Sequence, residues 1–353
     1  MFQIRRGREE DAPGVARLHA GIWPEEFPDD AAYVSFWRWL FQEFPGSGTA
    51  VLVGEAPDGE IVGHSALIPY RFRMHEKQCQ AGFVCQLMVK EEYRRELLFP
   101  RLETSLLRDY PQEGIDFVYG LINLPLVLKA HIAFGFQSLG QLRVYARPYD
   151  LHALARSFIR NRVLAALLSP FLSVARRVLH RSRPRPKAGL DVEEFTRFDE
   201  RFEDFFGEAA SYYPVTTKRT TEILNWRFCR APGREYIMWS VSEDSSVRGY
   251  LVARRMPMQG FDTLAVVDML FPPHRRDVGK RLLQALHQRS LEAGVVMSAC
   301  LLNPHDPMLS TLRRCMYVKT PAVFTLIFHS SRPDLPPPPF KDWHLLWLDH
   351  DAV

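Results

Sequence analysis

The sequence FVCQLMVKEEYRRELLFPRL, residues 83–102, joins two segments of different hydrophobic pattern. Its first seven residues are an apolar run of the kind found in buried strands. Beyond the charged residues, Leu98, Leu102 and Leu106 recur at the spacing of one helical face. A second apolar run, residues 117–123, follows this helix and predicts another buried strand. A strand, a helix and a strand in this order predict a right-handed parallel crossover, the unit of an α/β fold.

The chain repeats this pattern in its second half. Each block of the repeat keeps its residue types: a Trp followed by Pro-Gly, a hairpin with an acidic turn, and a buried strand that ends in Asn. The aligned pairs, in chain order, are Trp39 with Trp226, residues 51–63 with residues 237–249, and residues 113–123 with residues 293–303. Three blocks in one order predict two tandem α/β domains, each a mixed central sheet flanked by helices. We expect them at residues 1–150 and 188–353, the second ending in a proline-rich tail.

A basic connector separates the predicted domains at residues 151–187. Between residues 156 and 187 it carries nine Arg or Lys residues and no acidic residue. Phe171, Val174 and Val178 fall on one helical face, which makes the connector amphipathic. It is either a helical pair packed on the domains with a solvated arginine face, or a contact with an anionic membrane surface. The rest of the chain is acidic on balance, so no nucleic-acid partner is expected.

Composition and cysteine usage narrow the class of protein. The 353 residues are 46% hydrophobic and 24% charged, which is typical of a soluble globular protein. No apolar run reaches the roughly 18 residues of a membrane-spanning helix, and the N-terminus lacks the apolar segment of a secretory signal. The five cysteines never form a C-x-x-C pair, which argues against a disulfide frame and a zinc site. We therefore expect a cytoplasmic protein with no metal site.

A helix that begins directly after a buried strand presents free backbone N–H groups, which suit a phosphate. This junction, with the strand at residues 117–123 and the sequence AFGFQSLG at residues 133–140, resembles the GNAT acyltransferase superfamily. That family holds the pyrophosphate of acyl-CoA with an R-G-x-G loop, which corresponds to residues 93–99. The resemblance implies an acyl-CoA co-substrate, acetyl-CoA foremost. It also implies these cofactor-binding residues: Leu87, Met88, Val89, Arg94, Arg95, Glu96, Leu97, Leu98, Phe99 and Asn123.

A closer resemblance is to a bacterial subgroup of tandem GNAT-like proteins. These carry the patterns Y-R-G-x-G-L-F, G-I-x-F-V-Y-G and N-W-R-[YF], and they end in W…D-x-D. The corresponding sequences here are Tyr93-Arg94-Arg95-Glu96-Leu97-Leu98-Phe99, residues 114–120, Asn225-Trp226-Arg227-Phe228, and Trp343 with Asp349-His350-Asp351. The resemblance covers nearly the whole chain except the connector. By association, this resemblance favours a role in the synthesis of cell-surface glycans.

The phosphate loop departs from the family pattern. Arg95 and Leu97 replace both glycines, which normally let the backbone approach a phosphate closely. The aligned loop of the second half keeps Gly279 but places Asp277 where a phosphate would lie, and like charges repel. We therefore expect CoA in the first half, held by Arg94, Arg95 and the start of the helix. The alternative is that CoA binding is weak or lost.

Amine acylation needs a base for the ammonium group and an acid for the departing thiolate. In GNAT enzymes the acid is often a Tyr four residues before a closing Gly-Phe, and His131 occupies that position in the first half. Asp268, on a predicted strand of the second half, is a candidate base. The alternative for His131 is a histidine on the helix surface, and the alternative for Asp268 is a buried carboxylate that accepts hydrogen bonds. His64 and Cys85 are weaker candidates. The alternative for His64 is an exposed or capping role, and the alternative for Cys85 is inert packing inside a strand.

Together these features predict a transferase: an acyl-CoA-dependent N-acyltransferase, acetyl transfer foremost. Its acceptor would be an amine of a small molecule, a sugar or a glycan precursor. One alternative is a non-catalytic binding protein that kept the fold and lost the CoA site. The other is a peripheral membrane protein of cell-surface glycan synthesis, attached through residues 156–187.

Overall fold

A computed structural model describes residues 2–46, 48–158 and 189–350 of the chain. Residues 159–187 of the predicted connector lie outside these ranges, and the proposed membrane contact of the connector lies there with them. Among the described helices, none combines the length and the apolar character needed to cross a bilayer.

The described part of the first half alternates strands and helices as the sequence predicts. Its strands are β1 (Gln3–Arg6), β2 (Ala50–Glu55), β3 (Ile61–Met74), β4 (Lys77–Val89), β5 (Phe117–Ile122) and β6 (Gln137–Pro148). Its helices are α1 (Ala12–Ile22), α2 (Asp30–Phe41), α3 (Glu91–Arg94), α4 (Leu98–Asp109), α5 (Pro125–Ala133) and α6 (Leu151–Phe158). The crossover from β4 through α4 to β5 joins parallel strands.

The second half follows the same order. Its strands are β7 (Asp191–Phe195), β8 (Val215–Thr217), β9 (Ile237–Glu243), β10 (Ser246–Met258), β11 (Phe261–Leu270), β12 (Met297–Leu302), β13 (Val318–His329) and β14 (Trp343–His344). Its helices are α7 (Arg201–Ala210), α8 (Thr221–Cys229), α9 (Arg276–Glu292) and α10 (Leu309–Arg314), and a short 3-10 helix covers Trp347–Asp349. β11, α9 and β12 form the second parallel crossover.

The described strands form one mixed sheet in which the two halves exchange a strand. The order is β1-β2-β3-β4-β5-β13-β6-β12-β11-β10-β9-β7, and β8 pairs with β3 and β14. β6, from the first half, lies between β13 and β12, and β13, from the second half, lies between β5 and β6. Each half of the sheet therefore contains a strand from the other half of the chain. The domain boundaries at residues 150 and 188 stay a prediction.

Trp39 and Trp226, the first pair of the sequence repeat, meet between the halves. Their rings stack with centroids 4.5 Å apart and planes inclined by 15°. Each indole N–H donates a hydrogen bond to the main-chain carbonyl of the other Trp, at 3.1 Å in both directions. Such reciprocal contacts are those of a local two-fold axis, so the internal repeat has a structural counterpart.

Helices cover both faces of the first half of the sheet. On one face, α1 and α2 pack into a large core that contains Trp37 and Trp39. On the other face, the apolar stripe of α4 packs against residues of β3 and β5 in a second core. The close approach of α4 requires Gly63, because a Cβ atom there would lie 2.8 Å from a methyl group of Leu98.

Candidate functional site

The two parallel strands of the first half separate towards their carboxyl ends. β4 and β5 pair from Ala81 with Phe117 to Phe83 with Tyr119, and their pairing ends there although β4 continues to Val89. We call the opening beyond Phe83 and Tyr119 the first slot. A ligand can enter such an opening without breaking hydrogen bonds between strands, because none joins the strands there.

A bulge in β4 borders the first slot. Ser65 of β3 stands against both Gln86 and Leu87 of β4, and Gln86 has a left-handed backbone with φ of 50°. The Gln86 carbonyl accepts a hydrogen bond from Nδ1 of His64 at 2.7 Å. Nε2 of His64 accepts one from the indole N–H of Trp37 at 3.1 Å. The ring is therefore neutral, and its two hydrogen bonds hold the bulge in place.

His64 is a buried structural residue, which corrects its expected exposed or capping role. It is fully buried, and burial lowers the pKa of its imidazole to about 4. The side-chain oxygen of Gln86 accepts a further hydrogen bond from the Tyr33 hydroxyl at 3.0 Å. Two side chains from different elements thus fix one residue of β4 beside the slot.

The loop between β4 and α4 places cations at the end of the first slot. Arg94, Arg95 and Glu96 are exposed, and Nε of Arg94 donates a hydrogen bond to the Val89 carbonyl at 3.3 Å. Leu97 precedes α4 with a φ of 61°, in the left-handed region that favours glycine. The first turn of α4 directs backbone N–H groups and the positive end of its dipole towards the loop. This arrangement suits a phosphate group.

A cavity lies between this loop and α1. Its volume is about 750 Å³, and its lining includes Arg17 of α1 and Lys90, Arg94 and Arg95 of the loop. Part of this positive charge is compensated, because the Lys90 ammonium pairs with Glu60 at 2.9 Å. Cavities of about 300–1,000 Å³ are the size of small-molecule sites.

The other predicted cofactor residues surround the first slot unevenly. Met88, Val89 and Leu98 are buried, Leu87 and Phe99 are half-buried, and Asn123 is exposed at the carboxyl end of β5. Cys85 is buried and its thiol is free of disulfide bonding.

His131 lies inside the protein, so the expectation of a helix-surface histidine is wrong. It is 1% exposed and packs between Phe99 and Phe136. Its Nδ1 lies 2.8 Å from the Val127 carbonyl and must be the protonated nitrogen, because a carbonyl only accepts. Burial lowers the pKa of this imidazole.

Glu103 of α4 faces His131 and was missed by the sequence reasoning. Its carboxyl group is fully buried, and burial raises its pKa to about 7. Oε2 of Glu103 and Nε2 of His131 are 3.7 Å apart, and neither has a hydrogen-bond partner among the described residues. Oε1 of Glu103 accepts a weak hydrogen bond from Ser65, beside the β4 bulge, at 3.4 Å. The helical spacing held a signal, because Glu103 is one turn from Phe99 on the inward face.

Asp268 is a buried strand carboxylate, as one of its two interpretations expects. The guanidinium of Arg219 binds it with two nitrogens, the closest contact being 2.8 Å, and the Tyr250 hydroxyl also donates to it. Arg219 also approaches the buried carboxylate of Asp349 at 3.9 Å. The network joins β11 to the loop after β8 and to the C-terminal segment. Its sequence signal was weak, because Arg219 lies 49 residues from Asp268.

The equivalent opening in the second half, between β11 and β12 beyond Val266 and Cys300, is the second slot. The C-terminal segment, residues 340–350, covers it. The Asn303 amide donates hydrogen bonds to the carbonyls of Phe340 at 2.6 Å and Trp343 at 3.0 Å, and the 3-10 helix packs against β11. Asn303 is fully buried, whereas its repeat equivalent Asn123 is exposed. The two slots therefore differ in access.

Comparisons with known proteins agree with this architecture. A family model described as an acetyltransferase (GNAT) domain matches residues 3–121, the part of the chain that contains the first slot. No curated protein matches the sequence significantly. The fold is similar to that of a GCN5-related N-acetyltransferase from Anabaena variabilis, with 11% identity over 94% of this chain and 73% of that chain, and a TM-score of 0.64.

The yeast N-myristoyltransferase also has a similar fold. Its structure from Saccharomyces cerevisiae contains bound myristoyl-CoA and is 12% identical over 93% of this chain and 79% of that chain, with a TM-score of 0.61. At such identities the likeness establishes the fold alone. This chain therefore has a GNAT fold, and its first part matches the GNAT acetyltransferase domain.

Proposed function

We propose that this protein is an acyl-CoA-dependent N-acyltransferase whose acyl-CoA binds in the first slot. The observation that carries the proposal is the difference between the slots: Asn123, at the end of β5 beside the first slot, is exposed, whereas its equivalent Asn303 is buried under the C-terminal segment at the second slot. Both the GNAT domain match at residues 3–121 and the myristoyl-CoA in a protein of similar fold favour this ligand class. Acetyl-CoA is the first candidate donor, and an amine of a small molecule, sugar or glycan precursor is the proposed acceptor.

The residues of the first slot suit the parts of acyl-CoA. Arg94, Arg95 and the first turn of α4 would hold the pyrophosphate by charge and by backbone N–H groups. The apolar side chains of Leu87, Met88 and Phe99 would line the path of the pantetheine arm, with Asn123 at its edge. The thioester would then lie beside the bulge at Gln86, which His64 fixes.

The chemistry transfers the acyl group from sulfur to nitrogen. The amine nitrogen forms a bond to the thioester carbon, the carbon–sulfur bond breaks, the amine loses a proton, and the thiolate gains one. We propose that His131 passes the second proton to the thiolate through Nε2 after taking it from the buried carboxyl group of Glu103, because its own ring proton is on Nδ1 and is held by the Val127 carbonyl. The proton that the amine loses goes to water. Glu103 is its nearest proton partner, because the two unpaired atoms face each other at 3.7 Å. Asp268 stays a candidate base for chemistry in the second half, where it would have to release Arg219.

A titration with acetyl-CoA tests the donor site. A ligand that binds only the native state adds about 2.7 kcal/mol to the free energy of unfolding at a hundredfold excess over Kd. We expect binding by calorimetry and a loss of at least about tenfold in affinity for the double variant Arg94→Ala/Arg95→Ala. Arg276→Ala, in the equivalent loop of the second half, is the matched control and should leave the affinity unchanged. If no acyl-CoA binds, the proposal is wrong.

Turnover of an amine panel then assigns the active half. His131→Phe should lower kcat by about 10²–10⁴ and spare acetyl-CoA binding, which is the effect of losing an acid–base group. If Asp268→Asn stops turnover while His131→Phe does not, the chemistry belongs to the second half.

One observation favours a second candidate, a binding protein without catalysis. Arg95 and Leu97 occupy the glycine positions of the family loop, and Leu97 keeps a left-handed backbone at an energetic cost. Acyl-CoA binding without turnover of any amine would support this function. The likeness to the tandem GNAT-like subgroup, the cytoplasmic location and the membrane contact of residues 156–187 also remain proposals.

A further inference from the structure

Helix α5 exposes an apolar face to solvent. Leu126 is 80% exposed and Ile132 is 41% exposed, with Pro125 and Ala133 exposed beside them. On a helical projection these residues share one arc, and the exposed Lys129 lies near its centre. The opposite side of α5 carries His131, which faces Glu103 and the sheet. The exposed arc therefore points away from the core of the protein.

Two further leucines, each just before a helix, are also exposed. Leu124, just before α5, is 59% exposed, and Leu97, just before α4, is 62% exposed. Helices α4 and α5 are neighbours, since the rings of Phe99 and Phe134 lie 5.6 Å apart. We call Leu97, Leu124, Leu126 and Ile132 the α5 surface. In the part of the chain that the structure describes, eight large apolar side chains are clearly exposed, and four of them form this surface.

Helix α5 itself carries an exposed cation and no acidic residue. Within residues 97–108 and 123–136, the acidic residue is Glu103, and it is buried. Lys129 is the exposed cation of α5, whereas the guanidinium of Arg101 in α4 stacks on the Phe2 ring, 4.5 Å from its centroid. The nearest exposed carboxylate along the chain is Glu96, at the border of the surface. An apolar surface with a lysine near its centre and no carboxylate within it matches an anionic lipid interface.

The position of Lys129 separates a membrane from a second copy of the chain. In a symmetric dimer over this surface, Lys129 would approach its own counterpart, and like charges in an apolar interface are unfavourable. At a bilayer, the lysine side chain extends its ammonium group to the lipid phosphates while its stem stays among apolar groups.

We propose that the α5 surface is a membrane-contact surface that binds anionic lipid bilayers. It lies beside the carboxyl ends of β4 and β5, so binding would place the first slot at the bilayer. This inference does not depend on the proposed acyl transfer. If both hold, the acceptor amine or the acyl chain comes from the lipid phase.

Vesicle flotation of the full chain tests the surface. Vesicles of phosphatidylcholine mixed with phosphatidylglycerol should bind the protein at low salt, and phosphatidylcholine alone should bind it less. The double variant Leu126→Glu/Ile132→Glu should lower the partition constant by at least about tenfold, because each change removes the burial of a large apolar side chain. Val318→Glu, at an exposed apolar position on β13, is the matched control and should bind as the parent does.

Two further measurements keep the test decisive. The chain already has seven tryptophans, so the emission of the Trp added in Leu126→Trp is taken as the difference between variant and parent. This difference spectrum should shift to the blue with anionic vesicles, and an unshifted one would overturn the proposal. Vesicle binding by Leu126→Glu/Ile132→Glu at parental strength would assign the contact to the basic connector and would also overturn it. The proposal would also be overturned if light scattering showed that the parent is a dimer and that Leu126→Glu/Ile132→Glu is a monomer. The affinity of the same double variant for acetyl-CoA is measured separately, so that a failure of the membrane proposal is distinguished from a failure of the proposed donor site.

Discussion

The buried carboxyl group of Glu103 should lower the stability of the protein at neutral and alkaline pH, and Glu103→Gln should remove that effect. Burial raises its pKa from 4.5 to about 7 in the folded protein. The folded state therefore binds the proton more tightly than the unfolded state. The resulting stability is fully present below pH 4.5 and is lost as the pH rises through about 7.

The size of the effect follows from the pKa shift. One pKa unit corresponds to about 1.4 kcal/mol, so a carboxyl group shifted from 4.5 to about 7 loses roughly 3 kcal/mol between those pH values. His64 acts in the opposite direction, because burial lowers its pKa from 6.5 to about 4. The stability from His64 is present above pH 6.5 and is lost as the pH falls towards 4. Between about pH 4.5 and 6.5 the two contributions oppose each other in the parent protein.

Urea unfolding of the parent and of Glu103→Gln at pH 5 and pH 8 isolates the contribution of Glu103. The amide cannot ionise, so the variant should gain about 2.5 kcal/mol relative to the parent between the two pH values. Glu76→Gln, at an exposed position in the turn between β3 and β4, is the control and should show no such difference. A variant that is less stable than the parent at pH 8 would refute the reasoning, because it would mean that Glu103 and His131 form an ion pair.

Three other substitutions test the described contacts. Asp268→Asn leaves the buried charge of Arg219 without its main partner and should cost about 3–5 kcal/mol in urea unfolding, whereas Asp262→Asn, at an exposed ion pair, should cost at most about 1 kcal/mol. His64→Phe should cost roughly 2–6 kcal/mol, because two buried polar groups lose their hydrogen bonds, and an unchanged stability would show that the β4 bulge does not need them. Leu97→Gly should change stability by less than about 1 kcal/mol, because relief of the left-handed backbone offsets the added chain entropy. In the same variant acetyl-CoA should bind more tightly by calorimetry, and weaker binding would show that the Leu97 side chain contacts the ligand.

The individual strands and helices could be predicted from the sequence. The apolar runs and the helical spacing predicted α4 and β5 close to their observed bounds, and the Trp39–Trp226 repeat anticipated two related halves. The carboxyl end of β4 was also predicted, but β4 begins six residues before the predicted start at Phe83. These features depend on neighbouring residues, and so their pattern is visible in the chain.

The pairing of strands that are distant in the sequence could not be predicted. Nothing in the sequence of β6 or β13 specifies that they exchange halves, because strand pattern determines which face is buried and not which strand lies alongside. The burial of His131 was missed for a related reason. The partner that faces it, Glu103, comes from another helix, and a charged residue near an apolar stripe is normally exposed.

The strand exchange and the C-terminal segment connect the surroundings of the two slots. The two halves share β5, β13, β6 and β12 as successive strands of one sheet, so backbone hydrogen bonds join them along this region. The C-terminal segment accepts hydrogen bonds from Asn303 and lies against Arg219 through Asp349. Its residue His350 contacts Phe83, where the first slot begins. The segment that covers the second slot thus forms part of the surroundings of the first. In this arrangement the second half supports the proposed site through contacts, while Asp268 and Arg219 keep the covering segment in place.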